Sequence, residues 1–131
     1  MVGLKDNNSM PSFQFKVDPI PKPRMTQSDK WKKRPCVMRY WAYKAELLVL
    51  AKQAGFIMPE CNYHLTFFLQ MPDTWSKKKK AEMMNTAHRV TPDKDNLEKG
   101  FLDALCIEDK MIWDGRVTKK WGMNGSINIV W

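Results

Sequence analysis

Between Val90 and Leu105 the chain reads Val-Thr-Pro-Asp-Lys-Asp-Asn-Leu-Glu-Lys-Gly-Phe-Leu-Asp-Ala-Leu, and no other stretch constrains the fold as much. Pro92 disfavours helical backbone in the residue before it, so the chain arrives extended and turns into a helix near Asp95. From Asn96 to Leu105 the apolar residues Leu97, Phe101, Leu102 and Leu105 recur at helical spacing and mark the face to be buried. Residues four apart differ by ~40° around a helix axis, so Asp95, Lys99 and Asp103 form one polar ridge beside that face. Asp93 lies two residues before Asp95 in the extended segment and can project its carboxylate to the same side. A further acidic pair, Glu108 and Asp109, follows the helix.

Two readings of these acids compete. Asp95 with Glu98 three residues later fits a helix capping box, in which case both residues merely start the helix. A cap leaves Asp93, Lys99 and the pair Glu108 and Asp109 without a role. Three or more carboxylates converging without His or Cys make a hard oxygen site, suited to Mg²⁺ or Mn²⁺ rather than zinc. His64 and His88 are too few and too scattered for zinc, and Cys36, Cys61 and Cys106 contain no Cys-x-x-Cys pairing. At a phosphodiester such a metal would activate water and neutralise phosphate charge, and Lys99 would add a fixed positive charge near the developing oxyanion.

Charge narrows the partner. The 22 Lys and Arg outnumber the 14 Asp and Glu, for a net charge of +8. Such a surplus favours nucleic acid, because every phosphate contact by Lys or Arg releases a condensed counterion. A membrane is the weaker candidate, since no amphipathic helix carries a long basic face. The longest nearly uncharged stretch, Cys61 to Pro72, is far short of the ~20 residues that span a bilayer. With no apolar run near Met1 to act as a signal peptide, the expectation is a soluble cytoplasmic protein.

A length of 131 residues suits one domain, and a composition of 44% hydrophobic residues can supply its core. Residues 1–11 read as a loose polar tail and residues 12–131 as the domain. Phe13, Phe15 and Val17 alternate with polar residues as in a half-buried strand ending at Pro19. Prolines then exclude a regular element up to Pro35, across a loop carrying Lys22, Arg24, Lys30, Trp31, Lys32, Lys33 and Arg34. This loop is either a solvated connector or a contact for a DNA backbone. Tyr40, Trp41, Tyr43, Lys44, Leu47, Leu48 and Ala51 predict a helix over 37–54, stopped by Gly55.

Cys61 to Met71 predicts an interior strand, with Tyr63, Leu65, Phe67 and Leu69 on one face and His64, Thr66, Phe68 and Gln70 on the other. Trp75 and Ser76 lead into Lys77, Lys78, Lys79 and Lys80, with a short helix expected after them over 81–87. The lysine run is either solvated surface or a backbone-binding patch. Met111 to Val117 and Ser126 to Val130 are two short strand candidates. The fold expected is α+β: a curved mixed sheet of about four strands with two main helices packed on it. Arg24, Lys77, Lys78, Lys79 and Arg89 are the candidate DNA contacts.

Pro92-Asp93-Lys94-Asp95-Asn96-Leu97-Glu98-Lys99, followed by Leu102-Asp103-Ala104-Leu105, Glu108-Asp109 and Ile112-Trp113-Asp114-Gly115-Arg116-Val117-Thr118-Lys119, resembles the RusA family of Holliday junction resolvases, especially its bacteriophage and prophage members. Weaker similarity extends back through Trp75 to Lys79, the helix around Tyr40 to Gly55 and the early Pro-Lys-Pro-Arg. The resemblance implies that Asp93, Asp95 and Asp109 bind Mg²⁺, that Lys99 is a catalytic lysine, and that a homodimer nicks two strands of a four-way junction symmetrically. It also places Lys119 as a phosphate contact, and a bacterial host cytoplasm as the compartment if the chain is phage-encoded. Glu108 stands where the family usually has Asp, which retains the carboxylate. Asp103 belongs to the motif but reads as a helix-positioning residue rather than a ligand. A nuclease for flaps or forks, or a DNA-binding module without catalysis, fits the same residues.

Overall fold

Tyr63, Leu65, Phe67 and Leu69 all lie on one buried face of strand β2 (Tyr63–Gln70). His64, Thr66 and Phe68 on its other face are half-buried. In the computed structural model, which describes residues 11–24, 34–105 and 109–131, this strand is interior, as its two-sided pattern predicts. It pairs in parallel with β3 (Gly115–Gly122) and antiparallel with β4 (Ser126–Val130). Strand β1 (Ser12–Phe15) pairs with the outer side of β4, giving the order β1-β4-β2-β3. The fold is therefore α+β with a four-stranded mixed sheet, as expected.

Helix α1 (Pro35–Ala54) and helix α3 (Lys94–Leu105) contact one another and share one hydrophobic core with the strands. Phe101 of α3 is fully buried, with its ring 5.5 Å from Phe15 and 6.2 Å from Phe67. Burial of Leu97, Phe101, Leu47 and Tyr40 contributes roughly 1.5–3 kcal/mol for each such side chain, which locks both helices to the sheet. Gly55 ends α1 in the left-handed conformation at φ 68°, and the Phe56 N–H donates to the Ala51 carbonyl at 2.9 Å. Among the described residues no helix is long and apolar enough to cross a membrane.

Three boundaries differ most from the sequence expectation. Helix α2 (Lys77–Met83) begins inside the lysine run rather than after it, because the Ser76 hydroxyl accepts the Lys79 N–H at 3.1 Å and starts the helix there. Strand β3 lies four residues later than Met111 to Val117. Its pairing with β2 decides this, since Gly115 opposes Tyr63 and Gly122 opposes Gln70, and the pairing carries Lys119 and Lys120 into the strand despite their polarity. Strand β1 stops at Phe15, although Val17 beyond it is buried. Of the expected tail only Pro11 is described, and its carbonyl accepts the Trp131 N–H at 3.0 Å. The Trp31 part of the basic loop lies outside the described residues.

Candidate active site

Helix α3 starts at Lys94, so Asp95 sits inside its first turn instead of at its cap. The Asp93 carbonyl accepts the Leu97 N–H at 3.1 Å, which makes Asp93 the residue before the helix. Asp95 Oδ1 accepts the neighbouring Asn96 N–H at 3.0 Å, and Glu98 Oε2 accepts the Tyr63 hydroxyl at 2.7 Å. The capping-box reading fails on both counts: Asp95 lies two residues past the cap position, and Glu98 turns to β2.

Asp93, Asp95 and Lys99 are all exposed, Asp93 just before α3, Asp95 in its first turn and Lys99 one turn further along. Among the described residues neither the Asp93 carboxylate nor the Lys99 ammonium has a hydrogen-bond or ion-pair partner. Asp103, the third member of the ridge, forms an ion pair with Lys22. That pairing fits a positioning residue rather than a ligand. Beside Asp93 lies a cleft of about 470 Å³, walled by Pro19, Pro21, Lys22, Leu69 and Asn96.

The segment forming that wall is held against α3. The Lys22 N–H donates to the Asn96 carbonyl at 3.2 Å, and the bare Gly100 makes room for the Ile20 to Lys22 backbone over it. A Cβ at Gly100 would meet the Tyr40 ring at 3.1 Å and the Ile20 carbonyl at 3.2 Å. The Tyr40 hydroxyl donates to the Gly100 carbonyl at 3.2 Å; burial first, then the nearby Asp103 charge, pushes its pKa up to about 12, so it stays a donor at any working pH.

Lys119 of β3 reaches across the opposite side of the acidic segment. Its ammonium donates to the Val90 and Pro92 carbonyls, both at 2.7 Å, and so braces the turn that carries Asp93. The same segment pairs with the outer edge of β3 through His88 N–H to Lys119 carbonyl at 3.1 Å and Trp121 N–H to Thr86 carbonyl at 3.0 Å. The resemblance implies a phosphate contact for Lys119; the brace, spanning 27 and 29 residues, leaves no local signal in the sequence.

The histidines take no part in the acidic group. His64 Nε2 lies 2.8 Å from the Thr118 hydroxyl on the other face of the sheet; desolvation, then Arg116 and Lys120, lower its pKa. His88 is buried against Trp121 at 4.3 Å, with its pKa lowered by desolvation and then by Lys119. The Asp109 segment forms a short 3-10 turn, Asp109–Met111, after the end of α3. Twelve residues make α3 about 18 Å long, and Asp109 follows the end opposite Asp95. The side chain of Asp109, like Cys106 and Glu108, lies outside the described residues. Among the described residues no three His, Cys, Asp or Glu side chains are grouped to hold a metal ion.

Of the candidate DNA contacts, Lys77, Lys78 and Lys79 are exposed along α2, and Lys79 Nζ lies 4.3 Å from the centre of the Trp75 ring. Arg89 is exposed just before the braced turn. Arg24 is exposed as well, with its carbonyl accepting the Arg34 guanidinium at 2.9 Å.

Residues 16–130 match the family model of endodeoxyribonuclease RusA. The chain belongs to the RusA endodeoxyribonuclease family. This assigns it to the deoxyribonucleases, as its motif and basic charge predict. The match runs from just after β1 to the end of β4, so it takes in three of the four strands and all three described α-helices. No curated protein matches the chain.

Proposed function

We propose that this RusA-family chain is a Mg²⁺-dependent endonuclease that resolves Holliday junctions by paired symmetric nicks. The observation that carries this reading is that Asp93, Asp95 and Lys99 are all exposed, with no partner among the described residues beyond the Asp95 contact with Asn96, and that Asp93 lines a cleft of a chain with net charge +8. Asp93 and Asp95 offer oxygen donors alone, and a hard divalent cation fits such a set, with Mn²⁺ as a substitute. Asp109 is the third ligand in this proposal, for the chain just after it turns back along α3, where Ile112 and Trp113 share a cleft with Glu98 and Leu102. The chemistry Mg²⁺ would supply is neutralisation of phosphate charge and a more acidic attacking water.

The chain's own residues do the rest. Lys99, one turn beyond Asp95, sets a positive charge beside the carboxylates, where the phosphate oxygens gain charge during attack. The Lys22 and Asp103 pair fixes the ridge. Lys119 holds the Asp93 backbone turn, which makes it a positioning residue with one N–H left for phosphate. Arg24, Lys77, Lys78, Lys79 and Arg89 supply backbone contacts in this reading, and the compartment is the cytoplasm, that of a bacterial host if the chain is phage-encoded.

Symmetric nicks require two copies. Met38, Trp41, Leu48 and Val49 support this, for they form an outward stripe on α1 at helical spacing with exposures of 41–53%. A helix apolar on both sides is seldom left uncovered, and a second copy is the occupant that paired incisions need. Leu48→Asp is expected to leave the fold intact and convert a dimer to a monomer in sedimentation, with single nicks replacing paired ones.

The test of function is cleavage of synthetic four-way junction, flap and linear duplex in Mg²⁺. Opposed nicks on the junction are expected. Faster cleavage of flaps would move the reading to a flap or fork nuclease, and salt-sensitive binding with no cleavage in Mg²⁺ or Mn²⁺ would make this a binding module. Lys119→Met is expected to raise the Mg²⁺ concentration for half-maximal cleavage by about 10- to 100-fold, as losses of supporting contacts at metal sites do. If DNA affinity falls while the Mg²⁺ requirement does not, Lys119 serves phosphate instead of the turn.

A further inference from the structure

A second cleft, of about 440 Å³, opens between α2 and the segment leading to Asp93. Its walls are Trp75, Met83, Val90 and Trp121, and its rim carries Lys79 and Arg89. The two indoles lie 4.8 Å apart at an angle of 57°, and Trp121 rests in turn on the buried His88. Trp121 is therefore a fixed floor. Trp75 is partly exposed, and Lys79 sits over its ring. Val90, at the mouth, is 56% exposed although apolar.

From this cleft we infer that the chain holds one unpaired nucleobase, taken from the DNA strand near the cut. This rests on the nuclease reading of the Asp93 and Asp95 site. Flat aromatic walls accept any base through its π-face, and the two cations meet the phosphates on either side of it. A purely apolar partner would leave Lys79 and Arg89 facing nothing of opposite charge. Position agrees as well. Val90 and Asp93 are three residues apart, so at most about 11 Å of extended backbone separates cleft from acids. The Lys119 ammonium ties both ends of that span to one strand, at the Val90 and Pro92 carbonyls. The base in the cleft thus belongs to a nucleotide beside the scissile phosphate. Bases next to a branch point are less constrained by stacking than those in duplex, and so cost least to withdraw.

The probe is a synthetic four-way junction with 2-aminopurine at the branch-point positions, bound by the full chain in EDTA so that no cutting occurs. Wild type is expected to quench or shift the 2-aminopurine emission. Trp75→Ala is expected to abolish that response and weaken junction binding about tenfold, while linear duplex, held through phosphates, is bound nearly as before. Trp75→Phe should restore most of the response. Val90→Glu, at an exposed position, should also abolish it, and it guards against misfolding of Trp75→Ala. A wild type that cleaves the junction in Mg²⁺ yet leaves 2-aminopurine emission unchanged overturns the base pocket alone. A wild type that neither binds nor cleaves branched DNA overturns the nuclease reading with it. Loss of a dimer in Trp75→Ala, with the response retained, would assign the cleft to a second copy and also overturn the proposal.

Discussion

Asp95→Asn is expected to abolish Mg²⁺-dependent cleavage of a four-way junction, with a loss on the order of 10³-fold or more, while junction binding is retained or strengthened. Asn keeps the shape of Asp and loses its charge. Asp95 is exposed in the first turn of α3, and its one described contact is to the adjacent Asn96 N–H, which an Asn oxygen can still accept. The fold should therefore survive, less a few tenths of a kcal/mol from the lost acid at the helix start. Binding cannot suffer on charge grounds, since removing one negative charge takes the net charge from +8 to 8 + 1 = +9. Nicking assays and gel shifts at matched salt check the two halves separately. Retained Mg²⁺-dependent nicking by this variant would sink the assignment of the site.

Gly115→Ala is expected to cost about 3 kcal/mol of stability, near the upper end for overpacking. A Cβ on Gly115 would lie inside contact distance of three carbons of the Tyr63 ring. That ring cannot swing aside cheaply. Tyr63 is 3% exposed, belongs to the core, and donates its hydroxyl to Glu98 Oε2 at 2.7 Å. The two residues are also directly opposed across β2 and β3, so backbone shifts would break the pairing. Urea unfolding should show a lower midpoint at unchanged slope. Tyr63→Leu combined with Gly115→Ala should recover part of the loss. A wild-type midpoint for Gly115→Ala alone would mean that the ring does not lie over the glycine.

Why some of this was legible and some was not follows from the range of the interactions. The alternation in β2 and the three-four spacing of Leu97, Phe101 and Leu102 are local signals of a face to be buried, and both came through intact. The lysines of α2 and β3 defeated the same reasoning. A serine cap started a helix within the run of four, and pairing with β2 carried Lys119 and Lys120 into a strand. Neither force is visible as hydrophobic periodicity. The acids were found as candidates because Asp93, Asp95 and Lys99 are close in the chain. Lys22, Lys119, Trp75 and Trp121 acquire their places around them only through contacts between distant segments. The capping alternative for Glu98 could not be dismissed locally, because the tyrosine that claims the residue is 35 positions away.

The bond from the Arg34 guanidinium to the Arg24 carbonyl brings the two ends of one stretch of chain to nearly the same point. On one side of it Lys22 is fastened to α3, and on the other α1 begins at Pro35. The entropy of closing a loop rises only with the logarithm of its length. The Arg24 to Arg34 bond, the Lys22 anchor and the start of α1 are thus contacts that do not depend on how many residues join Arg24 to Arg34. A foreign peptide inserted between Arg24 and Arg34 is accordingly expected to leave the melting temperature close to that of the parent chain.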